Sequence, residues 1–192
     1  MIVVVCPGQG SQTPGFLEPW IAESSFRDTL AELGDAASSD LVTHGTTSDA
    51  DTIRDTAVAQ PLIVAAGLLT LRTLFADGRR DKVGGIAGHS VGEITAAAGA
   101  GILSETDAMR FVGERGRAMA DAAALTTTGM SAVVGGDQAD LLELFDEVGV
   151  IPANYNGGGQ IVVAGTPEAL AALAGGCSAR AARAVSSPAT TI

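Results

Sequence analysis

Ser90 lies in a pattern of small residues that suits nucleophilic chemistry. The stretch "IAGHSVGE" at 86–93 places it between Gly88 and Gly92, in G-x-S-x-G spacing. Glycines on both sides allow a sharp strand-to-helix turn that exposes the hydroxyl above the first N–H groups of a helix. The pattern predicts attack on a carbonyl carbon, with the N–H of Val91 as one oxyanion donor. A plain glycine-rich turn with Ser90 as a helix cap is an equally good interpretation of the pentapeptide alone.

A second glycine-rich stretch follows the first apolar run. In "PGQGSQ" at 7–12, the backbone around Gln9 can approach a ligand closely because Gly8 and Gly10 carry no side chain. The N–H of Gln9 is therefore a candidate for the second oxyanion donor. Taken alone, an ordinary turn is the better interpretation. Phosphate binding is less well supported, since the third glycine of G-x-G-x-x-G is missing.

Arg115 is the third candidate. On a helix predicted from 104 to about 125, it shares a face with Phe111, Val112 and Met119. Its stem could pack on this apolar face while the charge stays in water. The alternative is a guanidinium that binds a ligand carboxylate through two parallel hydrogen bonds.

A serine hydroxyl needs a base, and the chain has two histidines. His89 directly precedes Ser90, where the turn should direct its ring away from the hydroxyl. His44 lies in "LVTHGTTSD", upstream of the serine, whereas the base of α/β-hydrolases follows the nucleophile. His44 is interpreted as a surface loop residue. The expected base is therefore missing after Ser90.

Composition narrows the class of protein. The 192 residues include 22 acidic and 11 basic ones, a formal net charge of −11, which argues against nucleic-acid binding. Cys6 and Cys177 make neither a disulfide framework nor a metal cluster, so no metal is expected. "MIVVVC" is typical of a first strand rather than a signal peptide, and no apolar run is expected to reach the length of a membrane span. A cytoplasmic protein that binds no membrane is expected.

The order of elements predicts an α/β fold with two parts. Apolar runs at 2–6 and 83–87 read as buried parallel strands, with helical segments at about 16–33, 51–77, 91–100 and 104–125. From Gly129 the order becomes β-α-β-β-α-β, as in ferredoxin-like units. The expected domains are 1–128 and 129–192, the second ending in a tail at 186–192.

Several ordered motifs resemble one family. They are "PGQGSQ" at the start, "TAVAQPLIVAA" at 56–66, "AGHSVGE" at 87–93, "RGRAM" at 115–119, "TGMSAV" at 128–133 and "PANYNGGGQIVVAG" at 152–165. Together they resemble the malonyl-CoA:acyl carrier protein transacylases, the family shared with the acyltransferase domains of polyketide and fatty acid synthases. The resemblance implies an incomplete α/β-hydrolase-like core with a ferredoxin-like subdomain.

The resemblance also implies roles for residues. Ser90 would carry the malonyl group, the N–H groups of Gln9 and Val91 would form the oxyanion hole, and Arg115 would hold the malonyl carboxylate. The other implied site residues are Gln60 and Met119 in the pocket, His89 as a support, and Asn154 and Asn156 near the entrance. The implied substrates are malonyl-CoA and acyl carrier protein, in fatty acid biosynthesis, with no resident cofactor.

The family's histidine follows the small subdomain, in a segment of the "GAFH" kind. Here the chain reads "ARAARAVSSPATTI", and the match is lost from about Ser186. We therefore expect a C-terminally truncated chain or a shifted reading frame. Such a chain should acylate slowly or not at all, and its exposed sheet should promote aggregation.

Three alternatives stay open at this stage. They are an acyltransferase domain of polyketide synthesis, a serine esterase, and an inactive remnant that binds acyl carrier protein. Val91 beside the nucleophile resembles malonyl-selective members. The acidic composition requires a local basic patch for anionic partners, for which Arg117, Arg180 and Arg183 are candidates.

Overall fold

Two parallel strands form the sheet from which the serine emerges. In the computed structural model, which describes residues 1–186, β1 (Ile2–Cys6) pairs with β2 (Val83–Gly88), with Val5 opposite Ala87 and Cys6 opposite Gly88. Both strands carry mostly apolar residues or glycine, as strands of parallel sheets do. The carboxyl ends of both strands, and the loops that follow them, therefore lie side by side.

Six helices accompany this sheet. They are α1 (Glu18–Ile21), α2 (Ser24–Ala37), α3 (Leu41–Thr46), α4 (Thr56–Phe75), α5 (Gly92–Gly99) and α6 (Glu105–Ala124). A 3-10 turn at Thr52–Arg54 precedes α4, and a 3-10 stretch at Ala76–Lys82 links α4 to β2. The single helix expected at 16–33 is thus two helices, and α3 was not predicted.

Short polar side chains fix where several of these helices begin. The Asp55 carboxylate accepts from the N–H of Ala57 at the start of α4, and Asp40 accepts from Thr43 at the start of α3. Ser104 accepts from the N–H of Asp107, at the spacing predicted to start α6. Each cap satisfies a backbone donor that the helix leaves unpaired.

The helix α4 forms the centre of the first unit. Eleven of its twenty residues are buried, and they pack with residues of the other helices. The buried cluster consists of Leu17, Leu30, Leu33, Ala37, Leu41, Ile53, Leu62, Ile63, Val64, Ala65, Leu68, Leu69, Val91, Ile94, Ala108, Met109 and Val112.

This same helix corrects one expectation about apolar length. The helical stretch Thr56–Lys82 is long and apolar enough to cross a membrane by length and composition. The expectation that no run approaches that length is therefore wrong for this segment. Its apolar residues instead pack in the core, since 56% of its most apolar 18-residue segment is buried inside the protein.

The second unit is an antiparallel sheet covered by two helices. Its elements are β3 (Gly129–Gly135), α7 (Gln138–Val148), β4 (Ile151–Gly157), β5 (Gln160–Gly165), α8 (Pro167–Ala179) and β6 (Ala182–Ser186). The strand order is β4-β5-β3-β6. The predicted β-α-β-β-α-β order is therefore observed, and its core includes Val133, Phe145, Val163 and Leu173.

The chain divides into compact units at Met1–Ala120 and Asp121–Ile192. This division falls in the last turn of α6, whereas the boundary proposed from the sequence, near Thr128, lies in the loop before β3. The predicted α/β class is confirmed. The expected tail at 186–192 lies outside the described residues from 187 onward.

Candidate active site

Ser90 occupies a strained turn between β2 and α5. Its φ is +53°, in the left-handed region that residues other than glycine rarely adopt. The N–H of Gly92 donates to the carbonyl of His89 at 3.0 Å, and the N–H of Glu93 donates to the carbonyl of Ser90 at 3.0 Å. These bonds start α5 and hold the strained residue in place. Strain of this kind is typical of functional turns, and here it leaves Ser90 exposed.

The glycines of the turn are required by close packing. A methyl group on Gly88 would lie 2.2 Å from the carbonyl carbon of Gly92, and one on Gly92 would lie 2.4 Å from the carbonyl oxygen of Cys6. Neither position has room for a side chain. The strand β1 therefore reaches the turn directly, which is the close approach that the G-x-S-x-G spacing allows.

Arg115 reaches the serine. Its Nη2 donates to Ser90 Oγ at 3.3 Å, and its Nη1 donates to Oε1 of Gln60 at 2.5 Å. Gln60 is 1% exposed, and its Nε2 donates to Met119 Sδ at 3.3 Å. The structure thus brings together four predicted site residues. The contact with Ser90 favours a ligand-binding guanidinium over one that merely extends into water.

The loop at 7–12, here called the glycine loop, lies against the same turn. The N–H of His89 donates to the carbonyl of Cys6 at 3.1 Å. A methyl group on Gly8 would lie 2.8 Å from Nδ1 of His89 and 3.0 Å from its carbonyl oxygen. The ring of His89 is therefore packed beside Gly8. This contact suits the supporting role expected of His89 and places the loop that carries Gln9 beside the turn at Ser90.

Val91 lies at the start of α5. Its side chain is 1% exposed and belongs to the core of the first unit, and it is the N-cap residue of the helix. Its N–H is therefore one of the unpaired groups at a helix N-terminus, where anions are favoured. This position suits the predicted oxyanion donor.

His44 is not a loop residue. It lies within α3, half-buried, and its Nδ1 is 3.0 Å from Oγ of Ser48. The loop interpretation is wrong because the cap at Asp40 starts a short helix that the polar sequence did not reveal.

Asn154 and Asn156 belong to the second unit. Both are exposed on β4, and Nδ2 of Asn156 donates to Oε1 of Gln160 at 2.7 Å. The residues described around Ser90 belong to the first unit. Their proposed place near an entrance stays a prediction.

The candidate basic patch is partly neutralised. Arg117 donates to the carbonyl of Ala37 at 2.9 Å and pairs with Glu114 at 3.1 Å. Arg180 pairs with Glu147 at 3.3 Å. Both arginines are thus engaged in contacts within their own unit, and such exposed pairs weaken the attraction for an anionic partner.

The sequence interpretation missed Thr56 and Gln12 as site residues. Thr56 contacts the glycine loop, and Gln12 belongs to it. Oγ1 of Thr56 accepts from Nε2 of Gln9 at 3.3 Å, and Nε2 of Gln12 donates to the carbonyl of Ile53 at 3.0 Å. One signal was present in the sequence. Thr56 and Gln60 are four residues apart, so they share a helix face.

The two cysteines are thiols inside the protein. Cys6 and Cys177 are free and buried, and burial raises the pKa of both thiols. Within residues 1–186, no group of three His, Cys, Asp or Glu side chains could hold a metal ion.

The fold and the strained serine define a class of α/β proteins with a serine on a tight strand-to-helix turn. Comparison of the sequence with protein families gives a match over residues 3–189 to the family described as the acyl transferase domain. The chain belongs to this family.

Its relatives share one name. The malonyl CoA-acyl carrier protein transacylase of Mycobacterium bovis is 48% identical over 178 residues, which cover 91% of this chain and 58% of the relative. The crystal structure of MCAT from Mycobacterium tuberculosis is 44% identical, with a TM-score of 0.91, and the match covers 99% of this chain and 63% of that one. The chain therefore spans less than two thirds of the length of these relatives.

A third match is a complex. It is described as a type II PKS acyl-carrier protein with its malonyl-transacylase, PlMCAT:AntF. The match is 30% identical, with a TM-score of 0.83, and covers 98% of this chain and 62% of that one.

Proposed function

We propose that Ser90 carries a malonyl group on its way from malonyl-CoA to the phosphopantetheine thiol of acyl carrier protein. The observation that carries this proposal is the contact between Nη2 of Arg115 and Ser90 Oγ at 3.3 Å. An acyl group on the serine would bring a carboxylate two bonds from its carbonyl within reach of that guanidinium. Malonyl is the smallest acyl group with this geometry. The names of the relatives support the same substrate.

The transfer has two balanced halves. In the first, Ser90 Oγ forms a bond to the thioester carbon, the carbon–sulfur bond breaks, and the coenzyme leaves as a thiol with the serine proton. In the second, the pantetheine sulfur forms a bond to the ester carbon, the carbon–oxygen bond to Ser90 breaks, and the proton of that thiol passes to Ser90 Oγ. Each half passes through a tetrahedral oxyanion, for which we assign the N–H groups of Gln9 and Val91.

Arg115 selects the substrate in this scheme. Its Nη1 is held by Gln60, which leaves Nη2 directed at the serine. A planar guanidinium held in this way can bind a carboxylate with defined geometry. Met119 completes the contact from the other side of Gln60.

The names of the relatives support a proposal for the acceptor. Their name includes acyl carrier protein, and one solved relative is bound to such a protein. We propose the same acceptor here, in fatty acid biosynthesis, with polyketide synthesis as a second candidate because that carrier is a type II PKS protein. Buried free thiols suit the cytoplasm, which we propose as the location.

Neither histidine of the chain is well placed to act as the general base for Ser90. The two histidines are His89, packed beside Gly8, and His44, which is bonded to Ser48 in α3. We therefore propose that the chain alone acylates slowly, because oxyanion stabilisation and binding contribute even without an efficient base.

The test is the intact mass of the protein after exposure to malonyl-CoA. We expect slow addition of one malonyl group, which is absent in Ser90→Ala. Arg115→Ala should slow malonyl transfer about a hundredfold and leave the slower reaction with acetyl-CoA unchanged, because acetyl has no carboxylate.

Two outcomes would contradict the proposal. Equal effects of Arg115→Ala on malonyl and acetyl transfer would favour a serine esterase. Binding of acyl carrier protein without any acylation of Ser90 would favour a non-catalytic carrier-binding protein.

A further inference from the structure

The helix α4 contacts both the glycine loop and Arg115. Thr56 begins the helix and Gln60 follows one turn later, so their side chains lie on the same face. Each is 1% exposed. A buried polar side chain is costly unless it is hydrogen-bonded, so the partners of these two residues indicate what the face does. Thr56 accepts from Gln9, and Gln60 accepts from Arg115.

The glycine loop has few contacts of its own to hold it. Gly10 has a φ of +106°, and a methyl group there would meet nothing within 4 Å. Ser11 Oγ donates to the carbonyl of Gly8 at 3.1 Å, which is a bond within the loop. Glycine-rich backbone gains most in entropy when it is released, so contacts to a rigid element are needed to fix it.

Two glutamine side chains supply those contacts. Nε2 of Gln9 donates to Oγ1 of Thr56 at 3.3 Å and to the carbonyl of Arg54 at 3.4 Å. The side chain of Gln12 links the loop backbone to the residue Ile53. Its Oε1 accepts from the N–H of Gly10 at 2.9 Å, and its Nε2 donates to the carbonyl of Ile53 at 3.0 Å. The loop is thus tied at two points to residues 53–56.

We propose that Thr56 is a positioning residue, which holds the backbone N–H of Gln9 in place through the Gln9 side chain, with Gln12 as the second tie. This inference rests on the proposed function of Ser90. The hydroxyl of Thr56 contacts the side chain of Gln9. It acts by fixing the glycine loop on the same helix face that orients Arg115, so one rigid helix sets the oxyanion donor and the carboxylate ligand.

The physical expectation follows from the cost of misplacing a donor. An oxyanion donor acts only when it lies within hydrogen-bond distance of the oxygen that develops charge. Without its side-chain hydrogen bonds, Gln9 is free to move, and its backbone N–H moves away from the oxyanion. The rate of Ser90 acylation then falls, while the binding of the malonyl carboxylate to Arg115 is unchanged. The rate at saturation should fall while KM stays unchanged.

A matched pair of variants separates the hydroxyl from the packing. Thr56→Val keeps the shape and removes the hydroxyl, whereas Thr56→Ser keeps the hydroxyl and removes a methyl group. We expect Thr56→Val to slow the acylation of Ser90 by saturating malonyl-CoA about tenfold with unchanged KM. Thr56→Ser should stay within about twofold of the original protein. The opposite order of the two variants would overturn the proposal, because it would assign the effect to packing.

A second reagent separates this inference from the proposed function. An organophosphonate fluoride reacts with a serine through an oxyanion-bearing intermediate but has no carboxylate for Arg115. If malonyl-CoA fails to acylate Ser90, only the malonyltransferase proposal is contradicted. A phosphonate reaction that is about tenfold slower in Thr56→Val and nearly unchanged in Thr56→Ser would still support the positioning role.

Amide hydrogen exchange gives a measurement that needs no reaction. We expect faster exchange at residues 8–12 and a shifted Gln9 amide resonance in Thr56→Val and in Gln12→Glu, which cannot donate to Ile53. Ser11→Ala is the control, since its bond is internal to the loop, and its Gln9 resonance should not move. Equal spectra of Thr56→Val and Thr56→Ser would overturn the proposal.

Discussion

Arg115 shows how a single residue changes meaning with its neighbours. By periodicity it lies on a helix face beside apolar residues, which is compatible with a stem that packs and a charge in water. Its hydrogen bonds to Gln60 and Ser90 join residues that are 55 and 25 positions away in the chain. Only the folded chain decides between the two interpretations, because the partner residues are distant in sequence.

Asp40 offers a test at the same scale. Hydrogen bonds from Thr43 lower the pKa of its carboxyl below the ordinary value of 3.8. A lowered pKa in the folded state means that the charged carboxylate stabilises the fold above that value. This contribution is lost as the pH falls through the lowered pKa.

We expect Asp40→Asn to be at most about 1 kcal/mol less stable at pH 7, since Asp40 is largely exposed and its charge is screened. The difference between the two proteins should shrink as the pH falls from about 5 to 3. Thermal unfolding measured across this range provides the check. Parallel curves for the two proteins would show that the cap contributes no charge-dependent stability.

The elements were predicted best where periodicity was strong. The strands at 2–6 and 83–88, and helices α5 and α6, match the predicted bounds closely, whereas α4 begins at Thr56 rather than at about 51. The failures lie between residues 16 and 54, where short helices follow one another. Local capping by Asp40 and a turn that begins at Asp49 start these helices, and such short segments carry too few residues for a periodic signal.

Two adjacent glycines in α8 give a test at the scale of the element. A methyl group on Gly175 would meet nothing within 4 Å, whereas one on Gly176 would lie 2.5 Å from Cδ1 of Leu144. Leu144 is 2% exposed in the core of the second unit, so it cannot move aside freely.

We expect Gly175→Ala to stabilise the second unit by about 0.5 to 1 kcal/mol, because alanine favours the helix. Gly176→Ala should destabilise it by about 1 to 3 kcal/mol through overpacking. Chemical denaturation of both variants provides the measurement. Equal shifts of both variants in the same direction would contradict the packing that the structure describes.

At the scale of the whole molecule, the sheet of the first unit leaves apolar surface in water. Val3 and Val5 project from one face of β1 and are 51% and 71% exposed. Strands of parallel sheets are usually buried on both faces. The chain also spans only 58% of the length of the Mycobacterium bovis relative, so part of that relative's fold has no counterpart among the residues compared.

We expect this face to cause self-association. Val5→Lys should reduce the concentration-dependent increase in sedimentation and light scattering, because a charge on an exposed strand opposes pairing between copies. Ile102→Lys is the matched control, since Ile102 is 76% exposed and lies outside the strands. If self-association is unchanged in Val5→Lys, the surface that causes it lies elsewhere on the protein.

The sequence by itself determined the α/β class, the glycine-flanked turn at Ser90 and the family, because each depends on local spacing. Glycines beside a serine, apolar runs and capping residues act within a few positions of the chain. The tertiary structure decided what Arg115 contacts, where the glycine loop is tied and which polar residues of α4 are buried. Those facts arise from contacts between segments that are far apart in sequence. For Thr56 and Gln60, burial makes such contacts necessary, because an unpaired buried polar group is costly.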